Sequence, residues 1–269
     1  MVKFLKFFIG LLVLNLSNGF LSNIYAQTPA AKEKAVVIDY QGKPQKATYD
    51  FYIPPTENGG RIPVLVCIGG LPMDGEKYLR SDTGECLDAT WKNFADKNHI
   101  AILGLGFLFM PEDWEARASY QYPGVWSGEA LLKILDKVSE KNPVDFKELY
   151  FWGVSAGAQF SIRFAQMNPS IVKAVAAHAA GGYDLPTQYI PTKFLITVGR
   201  LDNKEITRRE MAKVFARACR HQKIDLTLTI ISGIAHRQTE EQNRMSREFF
   251  KKILSLRRHS YVNFLTEGE

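Results

Sequence analysis

Leu149-Tyr150-Phe151-Trp152-Gly153-Val154-Ser155-Ala156-Gly157 decides how the rest of the chain is read. An apolar run of strand type leads into Gly-x-Ser-x-Gly, and Ala-Gly-Ala with a long apolar helix pattern follows. Glycines two residues before and two after Ser155 let the backbone fold into a strained strand-to-helix turn. Such a turn holds the hydroxyl clear of the sheet, over a helix N-terminus that favours developing negative charge. A bare Gly-x-Ser-x-Gly also occurs as a plain turn. Here the strand before it, the helix after it, and an Asp and a His downstream select Ser155 as a candidate nucleophile.

Working outward, apolar runs and helical patterns alternate. Residues 63–68 read as a strand buried on both faces, ending in Gly69-Gly70-Leu71-Pro72. A helix is expected over 87–97, with Leu87, Trp91 and Phe94 on one side, then a strand over 100–105. Residues 106–124 form an aromatic loop holding Phe107, Phe109, Trp114, Tyr120 and Tyr122, with Trp126 next after it. Its rings either line a pocket or cover the sheet edge. A helix follows over 127–141, then the Ser155 strand and helix, and strands over 172–179 and 193–198. A surface helix over 203–222, a strand over 225–231 and a last helix complete the pattern; Thr239 and Gln242 have capping-box spacing for that last helix. Two earlier strands, 35–40 and 47–53, turn at 42–44 and would add at an edge. The fold class is therefore α/β, a mostly parallel central sheet flanked by helices on both faces.

The N-terminus has the pattern of an export signal. Lys3 and Lys6 precede an apolar core at 7–16, shorter than the roughly 20 residues that span a bilayer. Residues 1–26 are read as the signal, 27–34 as a linker, 35–258 as the domain and 259–269 as a loose tail; an uncleaved anchor is the alternative for 1–26. Removal after Ala26 leaves 243 of the 269 residues and takes away two lysines, lowering the net charge from +6 to +4. The expected location is periplasmic or extracellular, with no stable membrane insertion once the signal is gone. Mild basicity without a dense Lys/Arg run points to solubility and not to nucleic-acid binding. Cys67 lies in an apolar strand and reads as a buried thiol, leaving Cys86 and Cys219 as a pair that an oxidising compartment could bridge.

A serine needs a base to take its proton, and the base needs a partner to hold its tautomer. Asp202 follows the 193–198 strand through Gly199-Arg200-Leu201, at the end where open parallel sheets place their sites. It is the first choice of acid, with helix capping as its alternative role and Glu205 and Asp184 as substitutes. His236 follows the last strand and is the base candidate. His178 ends a strand ahead of the acid, His99 and His221 lie near helix ends, and His259 is in the tail. Oxyanion donors are expected from the N–H of Ala156 and from Gly70 or Leu71. Trp114, Tyr120, Tyr122 and Trp126 are the substrate-binding candidates, favouring an aromatic acyl group or a sugar face.

The order Ser155, Asp202, His236 is that of the α/β-hydrolases, and the chain resembles that superfamily over nearly all of 27–269. Glu148 to Gly157, the later Asn168-Pro169-Ser170 with Ala174-Val175-Ala176-Ala177, and Tyr52-Ile53-Pro54-Pro55 are similar to the secreted polyhydroxybutyrate-depolymerase and feruloyl-esterase-like branch. Two departures are visible. Many relatives have His-Gly where this chain has Ile68-Gly69, and Gly-Gly where it has Gly157-Ala158. The resemblance implies a secreted serine esterase acting on a small-molecule or polysaccharide-linked ester, with no metal and no cofactor. A prolyl-oligopeptidase-like serine peptidase and a non-catalytic binding protein on the same scaffold are the alternatives.

Overall fold

The computed structural model describes residues 34–55, 60–71, 79–80, 86–109, 113, 116–202 and 207–266. The export-signal reading of 1–26, most of the 27–34 linker, Trp114 and Glu205 lie outside the described residues.

The chain opens with a hairpin, β1 (Ala35–Tyr40) and β2 (Lys43–Tyr52). Its turn is Gln41-Gly42, one residue earlier than the sequence suggests, with φ of 54° and 74°. Two positive φ values match the right-handed strand twist, and Asp39 Oδ1 accepts from the Gly42 N–H at 2.8 Å. Pro44 then sits at the start of β2 against β1, where no second neighbour needs its missing N–H.

Next come β3 (Ile62–Ile68), the short β4 (Leu79–Arg80), α1 (Ala89–Asn98) and β5 (Ala101–Phe109). They are followed by α2 (Ser127–Ser139), β6 (Val144–Val154), α3 (Ala156–Met167), β7 (Val172–His178) and β8 (Lys193–Gly199). The last elements are α4 (Arg208–His221), β9 (Leu226–Ile231) and α5 (Glu240–Thr266). The strand order is β1-β2-β5-β3-β6-β7-β8-β9, with β4 beside β5. From β5 to β9 every neighbour pair on this path is parallel, and β1 and β2 add antiparallel at one edge, as expected.

Period-two alternation sorts the strand residues between two layers. Val64, Val66 and Ile68 of β3 join a core with Leu131, Ile134, Phe160, Phe164 and Phe215, so α2, α3 and α4 cover that face. Leu65 and Cys67 face the other way, into a core with Trp91, Phe94, Phe250 and Leu254 from α1 and α5. Helix α5 continues to Thr266, into the segment read from sequence as the tail. No glycine or proline stands between Arg257 and Thr266 to end it. No helix among the described residues is long and apolar enough to cross a membrane.

The cysteine reading is also corrected. Cys67 bonds to Cys86, with Cα atoms 6.1 Å apart, and Cys219 is the buried free thiol. Cys67 points to the α1 side of the sheet, where Cys86 enters α1. Cys219 lies on α4 across the sheet, among Phe215 and Ile224. The bond closes 19 residues of separation, for which the loop-entropy model gives about 3 kcal/mol. Cys86→Ala is therefore expected to lower the thermal midpoint by about 6–12 °C, measured by calorimetry. The unreduced protein in denaturant should titrate one thiol with a disulfide reagent; three thiols would refute the pairing.

Candidate functional site

Ser155 sits between β6 and α3 with φ 51° and ψ −111°. A non-glycine residue held there is strained by on the order of 1–3 kcal/mol, so the surroundings must over-determine it. Two glycines allow that. A Cβ on Gly157 would stand 2.1 Å from the Ile68 carbonyl oxygen, and one on Gly153 would stand 2.5 Å from that of Gly157. The first turn of α3 is thus pressed onto the end of β3 with no room for side chains. The Ser155 N–H donates to the His178 carbonyl at 2.9 Å, tying the turn to the end of β7.

His236 and Asp202 reach Ser155 from the ends of β9 and β8. A Cβ on Gly199 would stand 2.1 Å from the Ile234 carbonyl oxygen, so the two loops touch backbone to backbone. Leu201 N–H donates to Ile234 O at 2.9 Å, and Asp202 N–H closes a turn onto Gly199 O at 3.1 Å. His236 Nδ1 is 2.9 Å from Asp202 Oδ2, and His236 Nε2 is 2.9 Å from Ser155 Oγ. An ionised carboxylate only accepts, so Nδ1 carries the hydrogen and Nε2 is free to accept from the serine hydroxyl.

Asp202 is buried, and its Oδ1 accepts from Arg208 Nη1 at 2.7 Å. Burial pushes its carboxyl up, but the hydrogen bonds from His236 and Arg208 outweigh that and hold it below its ordinary value. Asp202 is thus an anion shared between an imidazole and a guanidinium.

His178 is near the site but has another role. It is fully buried, with Nδ1 2.7 Å from Thr197 Oγ1 and Nε2 2.7 Å from Ser246 Oγ. Ser246 spends its hydrogen on the Gln242 carbonyl and Thr197 accepts from Gln242 Nε2, so Nε2 of His178 donates and Nδ1 accepts. Burial lowers its pKa to about 3, so it stays neutral. His99 and His221 are exposed. Asp184 is held by Arg163 at 2.9 and 3.2 Å.

The Gly69-Gly70-Leu71 segment passes over the serine. A Cβ on Gly70 would lie 3.3 Å from that of Ser155. Ala156 opens α3, so its N–H is among the first helix amides that lack an acceptor within the helix. The Ala156 N–H and the Gly70 backbone therefore both lie next to Ser155.

The aromatic candidates divide. Tyr120 is 0% exposed and Trp126 1%. Tyr120 stacks on Phe107 with ring centres 5.0 Å apart, and Trp126 meets the same Phe107 ring edge-on at 5.6 Å. Both are corrected from substrate contacts to core residues. Tyr120 Oη also donates to Gly69 O at 3.2 Å, so it braces the segment above Ser155. Tyr122 is half-buried, and the Arg163 guanidinium lies 4.2 Å from its ring centre.

Sequence reasoning missed Arg163 and Arg208. Arg163 also donates to Gln121 O at 2.9 Å and to Gln159 Oε1 at 3.4 Å, joining α3 to two loops. The only signal in the sequence was a charge on an otherwise apolar helix. A depression of about 540 Å³ between α1 and α5, lined by Phe94, Arg244 and Arg247 among others, contains none of these residues. No group of three or more His, Cys, Asp or Glu side chains among the described residues is placed to hold a metal ion.

No family model and no curated protein matches the chain. Solved structures do. S-formylglutathione hydrolase from Agrobacterium tumefaciens superposes with a TM-score of 0.58 at 14% identity, over 83% of this chain and 94% of that one. Acylaminoacyl peptidase from Pyrococcus horikoshii gives 0.54 at 12%, over 86% of this chain and 42% of the peptidase. Poly(aspartic acid) hydrolase-1 from Sphingomonas sp. KT-1 gives 0.52 at 16%, over 82% and 98%. At these identities the likeness is one of fold, and the fold is that of the α/β-hydrolases.

Proposed function

We propose that the chain is an exported serine hydrolase that cleaves carboxylic esters through an acyl-enzyme. The observation that carries this reading is the continuous line Ser155–His236–Asp202, with two 2.9 Å links, at the C-terminal ends of parallel strands. Ser155 Oγ attacks the ester carbonyl carbon while His236 Nε2 takes its proton. The oxyanion is met by the Ala156 N–H and by Gly70 or Leu71. Collapse breaks the carbon–oxygen bond to the alcohol, which leaves with the proton from His236. Water then gives its proton to His236, attacks the acyl-enzyme and releases the carboxylic acid. The balance is ester plus water to acid plus alcohol.

Export is supported by the Lys3, Lys6 and 7–16 pattern and by the Cys67–Cys86 bond, a pairing that oxidising compartments maintain. The resemblance to the polyhydroxybutyrate-depolymerase and feruloyl-esterase-like branch supplies the substrate class, a small or polysaccharide-linked ester. With Tyr120 and Trp126 in the core, Tyr122 and Trp114 are the aromatic residues left to select an acyl group.

The test is turnover of p-nitrophenyl acetate, p-nitrophenyl butyrate, methyl ferulate and a peptide anilide by the purified protein. Ester cleavage with little anilide cleavage is expected. Anilide cleavage without ester cleavage would replace the reading with a serine peptidase. A folded protein that turns over nothing and resists a fluorophosphonate probe would replace it with a binding scaffold.

A further inference from the structure

We infer that Arg208 is a positioning residue that sets the pH range of the triad through Asp202, an inference that rests on the serine-hydrolase reading above. Arg208 is the first residue of α4, where a cation opposes the positive end of the helix dipole. Nothing about α4 itself calls for an arginine there. Its guanidinium instead reaches Asp202 Oδ1 at 2.7 Å, with the arginine side chain 14% exposed and the carboxylate 0%. The other carboxylate oxygen holds His236.

The consequence follows from counting charges. With a neutral imidazole, a lone Asp202 would be an unbalanced buried anion, and it would draw a proton onto His236. With Arg208 attached, the resting triad is electrically neutral. When His236 takes the serine proton, its new positive charge is balanced by the oxyanion over Ser155. Arg208 thus takes up part of the Asp202 charge that would otherwise act on His236 alone.

Among the described residues, the titratable and charged groups that face Asp202 come from three places. They are His236 after β9, Arg208 on α4 and Tyr183 after β7. The Tyr183 hydroxyl is pushed up by burial and then by the Asp202 charge, so it remains neutral and adds no charge of its own at working pH. Arg208 is therefore the one permanent cation in the set.

The experiment compares the wild-type protein with Arg208→Gln and Arg208→Lys. Two quantities are read: the NMR titration of the His236 ring and the pH dependence of inactivation by a fluorophosphonate. In Arg208→Gln the His236 midpoint should rise by about one unit, the scale of a nearby full charge. On the acidic limb, inactivation should then slow by about tenfold, while the exposed His99 and His221 signals stay in place. Arg208→Lys keeps the charge and should stay within about 0.3 unit of wild type. A His236 midpoint unchanged in Arg208→Gln overturns the proposal and reduces Arg208 to a brace. Should that variant not fold, a full-unit rise in Arg208→Lys overturns it alone. A wild-type protein that resists the fluorophosphonate at every pH overturns the serine-hydrolase reading instead. The NMR titration needs no turnover and still reads whether Arg208 governs His236.

Discussion

Ser155→Ala is expected to lower kcat for ester hydrolysis by about a million-fold. Without Oγ there is no acyl-enzyme, and His236 is left to act on water beside the proposed oxyanion amides. Those amides and the binding surface should sustain turnover about a thousand-fold above the uncatalysed rate. Asp202→Asn should cost about 10,000-fold. An amide in place of Oδ2 can present an N–H to His236, turning the imidazole to the tautomer whose Nε2 already carries a hydrogen. The measurement is a burst assay with p-nitrophenyl acetate on folded protein, whose wild-type amplitude counts acylated sites. A Ser155→Ala enzyme that keeps more than about 1% of wild-type turnover would move the nucleophile elsewhere, because one missing oxyanion donor alone costs 100- to 1,000-fold.

Gly157→Ala carries the second large effect, and there two ordinary rules oppose each other. Alanine is the better helix former by up to about 1 kcal/mol. Against this, its Cβ would stand 2.1 Å from the Ile68 oxygen and 2.6 Å from the Gly69 oxygen, both backbone atoms that cannot swing aside. The clash wins, and overpacking of this kind is expected to cost about 3 kcal/mol or more. That lowers the thermal midpoint by roughly 6–12 °C in a chain of this size. The surviving folded fraction should also turn over slowly, since relief of the clash lifts Gly69-Gly70 away from Ser155. Gly60→Ala, with nothing within 4 Å of its Cβ, is the control. A Gly157→Ala midpoint within 2 °C of wild type would show that the α3–β3 contact is looser than described.

These expectations draw on features that local sequence expresses unevenly. The parallel sheet and the helices on both faces follow from runs such as 63–68 and 172–178, because burial on both faces leaves an uninterrupted apolar signature. The Thr239–Gln242 box is equally local: Gln242 Oε1 accepts from Thr239 N–H at 2.7 Å and Gln242 N–H donates back at 3.4 Å. The elbow, Asp202 and His236 could be placed at strand ends because each adjoins an apolar run. Their 2.9 Å links belong to the fold.

What failed to show was set across space. The aromatic loop reads as starting at Gly106, which ends the expected strand at 105. Strand β5 runs on to Phe109 because β2 pairs with it, Thr48 opposite Gly106 and Ala47 opposite Phe107. That extension carries Phe107 into the core and draws Tyr120 and Trp126 after it. The cysteine pairing depends on which face of β3 Cys67 occupies, and an all-apolar strand does not express that. Arg208 reads as one more basic residue in a basic surface helix until the Asp202 loop is folded beside it.

The hydrogen bonds around His178 bear on how much of the chain the serine turn depends on. All three residues of the proposed triad precede residue 237, so a chain ending there would hold every reacting group. Yet it would lack Gln242 and Ser246, and His178 and Thr197 would face each other inside the sheet with their outer partners gone. A chain that stops at 237 therefore holds the proposed triad without the partners that fix the end of β7, to which the Ser155 turn is tied. The start of the last helix thus helps to seat the serine turn, although it contributes none of the three residues.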